Sequence, residues 1–597
     1  MAKKLQLNSK SSSNNMSTKM KYLLSLATLL ILGSKSASAQ VLYFNGLGRA
    51  IVTNDDFRGN VNFNDNKTPR KATGGYSLFD LGVNVQPSEY LRAAASLRAR
   101  NAFGGFYGDG SMINFRQIKL DGIISKKVKY EIGDIDLQLT PYTLFNSYES
   151  YYDHEAEIFA QRRKIVYYEN FNNGNKWRLQ GANINATLVF DKGIEKIGIQ
   201  AFATRIARAN YFNNIIPDRI QYGGRIDMLQ SKHFSAGLNY IALSDLAGTS
   251  PSPAVVLDNQ VATGDFKFNF DVSNITLSLY GEGGGSDYTY TSSDSTRNKQ
   301  DYFYDAGISA SYKPYKLKVF ASYRNVGADF NSPGAQTRRY FDNATSALFP
   351  TYSVNGVSMN RTSSLLDRYA DESDVRNATI TDTLLQYNPM YNNITPYGLA
   401  TPNRQGISVG ASLGDDEKII KADVAVNMLS ELRPEINNGS RKYMGIKGGF
   451  NFNVHKLAQW EKMLVISAGV NYENTKRDLA PNTINLSSTT IDAGIVVEAL
   501  KSFDVLLGYK MMTAKGNEFY SSRNSFNQVV TNPVTVMNFG YNQSVFAAGL
   551  RLRHSKNAFT TLQYHALNVK DSINKNAEGN DTKYTINQIF INYTLIF

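Results

Sequence analysis

Cysteine is absent from the 597-residue chain, which excludes disulfide bonds, thiolate metal sites and cysteine nucleophiles. Tryptophan occurs only twice, and beyond residue 39 no apolar run is long enough for a helix to cross ~30 Å of hydrocarbon. Residues 1–39 contain six lysines and no acidic residue, so the formal charge of +13 falls to about +7 for the rest of the chain (13 − 6). The remaining basic residues form no run or stripe, so we predict no nucleic-acid partner.

The first 39 residues have the pattern of a secretory signal peptide. Lys21 precedes a short apolar run that ends at Leu32, and small residues at 37–39 form a cleavage site before Gln40. The apolar run has about 11 residues, which is too short for a membrane anchor. We therefore predict export, with cleavage of residues 1–39 and a mature chain that begins near Gln40.

From Val41 to Phe597 the sequence alternates between apolar and polar residues in segments of ten or more. Between residues 90 and 100, for example, leucine and alanine occupy the odd positions, and serine and arginine occupy most of the even ones. A period of two predicts strands with two different faces. Soluble sandwiches have shorter strands, and we find no repeat of propeller length. We predict an all-β fold: one large transmembrane antiparallel β-barrel over residues 40–597, with about 22 strands (20–24) and no N-terminal plug.

Short turns and longer polar loops alternate along the chain, which is typical of barrels with periplasmic turns and extracellular loops. Residues 163–176 fit either an extra strand pair or part of a loop. Gly133 is expected to form a bulge in a strand over 128–140. The predicted turns are 87–89, 126–127, 230–232, 271–274, 313–315, 415–417 and 555–556. The predicted loops are 53–73, 141–176, 246–258, 288–300, 329–403, 433–441, 516–540 and 571–582.

The C-terminal strand carries a specific pattern. Apolar and aromatic residues alternate up to a terminal aromatic residue, ending with Tyr593, Leu595 and Phe597. This pattern resembles the C-terminal strand by which outer-membrane barrels are recognised by their assembly machinery. Tyr593, Leu595 and Phe597 are therefore the predicted assembly signal, and the barrel-assembly machinery is a predicted partner.

The tyrosine- and asparagine-rich strands, the Ala39-Gln40 junction and the final Ile596-Phe597 resemble porin-like outer-membrane barrels of the Bacteroidota type. The resemblance covers the whole mature chain and is to a class of proteins. It implies an integral protein of a Gram-negative outer membrane, in contact with outer-membrane lipids and lipopolysaccharide. It also implies a porin-like channel for passive diffusion of small polar or anionic solutes.

A second function stays open: a non-channel structural or accessory barrel within an outer-membrane export, uptake or assembly complex, with other outer-membrane subunits as partners. The segment 329–403 bears on this choice, because ordered loops of that length usually have a function. It either folds into or over the pore, or extends away from the barrel. The inward-facing residues are mixed, with Gly237, Gly307, Ser309, Gly469 and Gly549 beside Phe303 and Phe559.

No catalytic, cofactor or metal site is predicted. The five histidines are scattered, without metal-ligand spacing. The acidic run over residues 153–157 could bind a hard divalent cation, but charged loop residues are more often simply solvated. We therefore expect no enzyme activity. If the phase of each strand is right, a set of basic residues lines the lumen and gives a modest preference for anions. These residues are Arg92, Arg98, Arg100, Arg225, Lys318, Arg324, Lys421, Lys447, Arg551 and Arg553.

Overall fold

The fold is a closed antiparallel β-barrel of 22 strands, seen in a computed structural model. The residues that the structure describes are 41–59, 71–103, 111–146, 154–170, 176–209, 217–250, 255–292, 296–336, 353–354, 357–358, 384, 387–434, 439–479, 482–520, 535–575 and 579–597. The predicted signal peptide lies outside them. Among the described residues, no helix is both long and apolar enough to cross a membrane.

Each strand pairs with its neighbours in chain order, and the last strand pairs with the first over Leu47–Gly59 and Tyr584–Ile596. The predicted strand number and topology are confirmed. The first eleven strands are β1 Val41–Gly59, β2 Lys71–Ser88, β3 Leu91–Ala102, β4 Ser111–Ile124, β5 Val128–Leu137, β6 Trp177–Val189, β7 Lys196–Ala207, β8 Arg219–Ser231, β9 Phe234–Asp245, β10 Val255–Val272 and β11 Ile275–Ser292. The others are β12 Thr296–Tyr312, β13 Leu317–Val326, β14 Arg404–Leu413, β15 Ile420–Ser430, β16 Lys442–Asn453, β17 Leu464–Arg477, β18 Ile484–Leu500, β19 Phe503–Tyr520, β20 Thr535–Ser555, β21 Ala558–Lys575 and β22 Asp581–Ile596.

Alternation gives the barrel an apolar outer surface. On β20, Phe546 and Leu550 are exposed on the outside, whereas Val545 and Ala547 are buried on the inside. Large apolar side chains are exposed in the same way on the outward face of most strands. A closed barrel leaves no sheet edge, and an apolar outer band fits hydrocarbon. The architecture is therefore that of a transmembrane barrel.

The two ends of the barrel differ in their connections. At one end, which we call the turn end, consecutive strands are joined by two to ten residues. At the other, the loop end, the connections include residues 138–176 and 327–403. Several predicted loops are shorter than expected, because the strands continue above the apolar band: 288–300 shrinks to 293–295, and 516–540 to 521–534.

Four elements of the described residues lie outside the wall, one of them a 3-10 helix over Lys313–Tyr315 in the turn between β12 and β13. A helix, α1, spans Glu157–Asn170, so the predicted extra strand pair over 163–176 is wrong, and the segment is part of the long connection between β5 and β6, as the other alternative had it. A one-turn helix, α2, spans Val454–Leu457 in a turn, and a small hairpin joins Ser353–Val354 to Val357–Ser358. The predicted bulge at Gly133 is also displaced. The register shift lies opposite Ser96 and Leu97, where β4 has Arg116 as an extra residue, and β5 ends at Leu137.

Candidate functional site: a lumen occupied by two inserts

The connection between β5 and β6 enters the barrel and follows its inner wall. We call residues 138–176 insert 1. Its first part contacts β11 and β12: Thr140 donates a hydrogen bond to Glu282 (2.6 Å), and Tyr142 donates one to Asp305 (2.6 Å). Its second part begins with His154, which is hydrogen-bonded to Asp423 on β15. Insert 1 thus touches widely separated parts of the wall.

Buried charges anchor the start of α1. The Lys510 ammonium on β19 lies 2.5 Å from Glu155 and 3.1 Å from Asp492 on β18. Asp492 also accepts a hydrogen bond from the Ala156 backbone N–H (2.7 Å). The other carboxylate oxygen of Glu155 accepts from Arg163 (2.6 Å), about two helical turns further along. Charges that leave water must be compensated in this way, so the cluster fixes the start of the helix against one site on the wall.

Inward glycines allow α1 to approach the wall. A Cβ atom at Gly508 would lie 2.5 Å from Ile158 Cγ2, and one at Gly494 would overlap Ala156. Gly549 makes similar room, because a Cβ there would lie 3.3 Å from Ile158 Cδ1. These glycines serve helix packing rather than a water-filled lumen.

The end of α1 is held by arginines on β1, β3 and β4. Arg49 and Tyr76 donate hydrogen bonds to the Glu169 carboxylate, at 2.6 and 2.7 Å. The Arg98 guanidinium donates to the Glu169 backbone carbonyl (2.6 Å), and that of Arg116 donates to the carbonyl of Tyr168. Cations are favourable at a helix C-terminus, where carbonyl groups lack partners. The bulge in β4 turns Arg116 inward for this contact.

The connection between β13 and β14, residues 327–403, is insert 2. Its first part packs on insert 1: Ser332 donates a hydrogen bond to the Tyr142 carbonyl (2.8 Å), and Phe145 N–H donates to the Gly334 carbonyl (2.9 Å). Its last part is tied to the wall through Asn393, whose amide donates to Thr475 and Glu518 on β17 and β19 (both 2.8 Å). Most of the segment between these two parts lies outside the described residues. The described ends of the predicted loop 329–403 therefore lie against the inner wall.

The alternation of exposure places all ten predicted lumen residues on the inner face of their strands. Six of them pair with carboxylates, and most of these pairs lie in the half of the barrel toward the turn end. The pairs are Arg92–Asp121 (2.9 Å), Arg98–Asp80 (2.7 Å), Arg225–Asp265 (2.6 Å), Lys421–Asp416 (2.9 Å), Arg551–Asp504 (2.8 Å) and Arg553–Glu498 (2.6 Å).

The other four have different surroundings. Arg100 stacks 4.0 Å above the ring of Tyr76, and buried Arg324 donates a hydrogen bond to Ser408 (3.3 Å). Lys447 is half-buried on β16. Lys318, near the turn end, is exposed and makes no ion pair with a described residue.

The predicted assembly residues lie beside the barrel closure. Tyr593, Leu595 and Phe597 all face outward and are exposed. Phe597 N–H donates a hydrogen bond to the Gly46 carbonyl (3.1 Å), and Gly46 N–H donates to the Phe597 carbonyl (2.8 Å). The Phe597 ring stacks on that of Phe79 on β2, with 5.7 Å between centroids.

The acidic run considered for metal binding is divided among separate partners. His154 contacts Asp423, Glu155 contacts Lys510, and Glu157 accepts a hydrogen bond from Arg551 (2.9 Å). Within the described part of the chain, no three histidine or carboxylate side chains form a group that suits a metal ion.

Sequence reasoning missed the residues that hold α1. Arg49, Arg116, Glu155 and Glu169 were not predicted to act together, because residues far apart in sequence meet only through the barrel. The one available signal for Arg116 lies in the sequence of its strand, where the apolar positions shift from odd (113 and 115) to even (118 and 120).

No protein-family model and no curated protein matches this chain. Among solved structures, the unliganded ferric citrate transporter FecA aligns with 93% of this chain and 79% of its own length, at 9% identity and a TM-score of 0.44. OccAB1 of Acinetobacter baumannii aligns with 93% and 97%, at 10% identity and a TM-score of 0.30. Wzi of Escherichia coli, a carbohydrate-binding β-barrel involved in group 1 capsule assembly, aligns with 75% and 83%, at 14% identity and a TM-score of 0.34. TM-scores below 0.5 give no support for a shared function.

Proposed function

We propose that this protein is an outer-membrane channel through which small polar solutes, including anions, diffuse passively past the two inserts. The supporting observation is exposed charge on the inner wall. The side chains of Arg92 and Asp121 face the interior yet are 38% and 23% exposed, and Arg225 and Asp265 are 23% and 25% exposed. Partly exposed charges inside a barrel require water there.

The inserts set the size of the passage in this proposal. Apolar clusters join insert 1, insert 2 and the wall: Phe159 and Met390 share one cluster with Val545, and Tyr142 and Phe330 share another. Solutes would pass beside these clusters, not through them. Because most inward cations are paired with carboxylates, selectivity for charge is expected to be weak.

The test is the conductance of the full chain in planar bilayers, together with liposome swelling in sugars of increasing size. Replacing residues 154–170 by a glycine-serine linker should raise the conductance and the size limit. A matched control replaces residues 457–462 of the turn between β16 and β17, all of which are exposed. Conductance in the linker variant and none in the unaltered protein would overturn the channel proposal.

A second candidate is a structural or accessory subunit of an outer-membrane complex, without enzyme activity. Insert 1 favours it, because its contacts extend from β11 and β15 to β1 and β4 and are held by buried charge pairs. That arrangement would suit a sealed barrel. Co-purification of defined partners from mild detergent, with no conductance, would support this function instead.

A further inference from the structure

The wall is incomplete between β4 and β5 in the described residues. On one side, β4 pairs with β3 over eleven residue pairs, from Leu91–Gly122 to Asn101–Ser111. On the other side it pairs with β5 over only six, from Lys119–Gly133 to Ile124–Val128. Within the part of the chain that the structure describes, residues 111–118 therefore have a strand neighbour on one edge only.

The cause is the separation of β5 from β4 beyond Gly133, whereas β5 stays paired with β6 as far as Leu137. Gly133 has a φ of +105°, which glycine adopts readily and other residues rarely do. Beyond it the apolar residues change face: Ile132 points outward and is 50% exposed, whereas Ile135 and Leu137 point inward and are buried. The chain then continues into the lumen as insert 1. Because the chain enters the lumen after β5, no described strand covers the edge of β4 over residues 111–118.

The hydrogen bonds on the two sides of β4 show which of its backbone groups face β3 and which face β5. Ile123 N–H donates to the Tyr90 carbonyl on the β3 side, and Ile118 N–H donates to the Asp134 side chain on the β5 side (2.6 Å). Alternation, corrected for the extra residue in β4, places the N–H and C=O groups of Phe115 and Ile113 on the β5 side as well. No described strand pairs with them there.

These groups lie at the level of the membrane. Ile113 and Phe115 point outward and are 68% and 54% exposed, as lipid-facing residues are. Phe115 is nine residues from the turn end of β4 at Ile124, which is roughly 23 Å at ~3.3 Å per residue and ~40° tilt. An unpaired edge in hydrocarbon costs several kcal/mol per group, and acyl chains offer neither donors nor acceptors. The edge therefore requires a polypeptide neighbour.

Polar residues form the opposite side of the opening. After Gly133, Asp134 and Asp136 lie on the outward face, together with Gln180 and Arg178 on β6. Arg178 Nε lies 3.7 Å from Asp136, is buried, and donates no hydrogen bond to a described residue. Charged residues are unusual on the outward face of a barrel. An additional strand would supply a carbonyl acceptor to Arg178 and a cation to Asp134.

We propose that the edge of β4 over residues 111–117 binds an extended segment of a partner polypeptide by strand addition, with a lysine or arginine of that segment facing Asp134. The backbone of the segment would pair with Ile113 and Phe115, and its outward side chains would complete the apolar surface. This site lies on the outer surface of the barrel, so the proposal does not depend on whether the barrel conducts.

The test places a photo-crosslinking residue at Ile113 of the full chain in its native outer membrane. The control position is Ile184 on β6, which is 49% exposed and lies in a strand paired on both sides. We expect a polypeptide adduct of discrete mass at position 113 and none at 184. Adducts with lipid alone, or crosslinks only within the chain, would overturn the proposal.

Two substitutions show whether an adduct reflects strand addition. Phe115→Pro removes an N–H that faces the opening, and proline is tolerated at strand edges. Asp134→Asn removes the charge but keeps an acceptor for Ile118 N–H. Each should reduce the adduct at position 113 at least several-fold, without reducing the amount of folded barrel in the membrane. If the Phe115→Pro variant does not fold, the Asp134→Asn variant alone tests the proposal. An unchanged adduct at position 113 in that variant would refute both the charge contact and the strand addition.

Discussion

Lys510 on β19 and Glu155 before α1 form an ion pair of 2.5 Å in which each side chain is only 1% exposed. The two residues are separated by most of the chain, so the pair joins insert 1 to the far wall. A buried lysine is tolerated where opposite charges compensate its lost hydration. The position of α1 therefore depends on charge as well as on packing.

Lys510→Met should destabilise the barrel by about 3–5 kcal/mol, because Glu155 and Asp492 would stay buried without their shared cation. The measurement is unfolding by denaturant in detergent micelles. Lys318→Met serves as the control, since Lys318 is exposed, and it should change stability by less than about 0.5 kcal/mol. Equal stabilities of the two variants would contradict the anchoring role of Lys510.

Gly508→Ala should also loosen α1, because the new Cβ would lie 2.5 Å from Ile158 Cγ2. Overpacking of this kind costs about 1–3 kcal/mol. In the double variant with Ile158→Ala, the cost should be smaller than the sum of the single costs. Gly283→Ala is the matched control, since a Cβ there meets its nearest atom at 3.5 Å. Additive costs would argue against direct packing at Gly508.

If the barrel conducts, opposite substitutions in one ion pair should shift its selectivity in opposite directions. Asp121→Asn frees the charge of Arg92 and should shift the reversal potential toward anions; Arg92→Gln should shift it toward cations. Both shifts should shrink as salt rises, because screening acts over ~10 Å at 0.1 M. Shifts of the same sign would show that this pair does not line the passage.

Acid should release the start of insert 2 from the wall. Burial raises the pKa of Asp329, but hydrogen bonds from Arg433 (2.7 Å) and Lys299 (2.8 Å) outweigh it and lower that pKa to about 2. A lowered pKa means that the carboxylate stabilises the fold above its ordinary pKa of about 4 and loses this effect as the pH falls toward 2. Pepsin should therefore cut near residues 327–336 more readily at pH 2 than at pH 4. Cleavage rates are corrected for the activity of pepsin on an unfolded substrate at each pH. In the Asp329→Asn variant, the corrected rates at pH 2 and pH 4 should then be equal.

Phe597 should contribute to membrane insertion through both its backbone and its ring. Deleting Phe597 removes the backbone hydrogen bonds to Gly46 and the ring stacked on Phe79, whereas Phe597→Ala removes the ring alone. We expect the deletion to lower the amount of membrane-inserted barrel more than the alanine variant does. Heat-modifiable mobility of the barrel in gels measures this amount. Normal insertion of the deleted chain would remove Phe597 from the predicted assembly signal.

Much of the wall could be predicted from the sequence. A pleated strand repeats every two residues, so the face of Arg92 or Phe546 follows from alternation alone. Helix α1 could not be predicted in this way. A helix packed on one side shows an apolar stripe, but the first half of α1 is buried on all sides, including Ile158, Phe159 and Arg162. Its apolar residues therefore follow no single face.

The sequence by itself determined the membrane-spanning barrel, the approximate number of strands and the inward face of the ten basic residues predicted to line the lumen, because these depend on local alternation. The tertiary structure decided which charges meet and what occupies the lumen. Arg92 pairs with Asp121 through the register of β3 with β4, and Lys510 meets Glu155 only because insert 1 enters the lumen. The register of the strands and the insertion of the two connections into the lumen depend on contacts between distant residues. Local sequence patterns do not indicate these contacts.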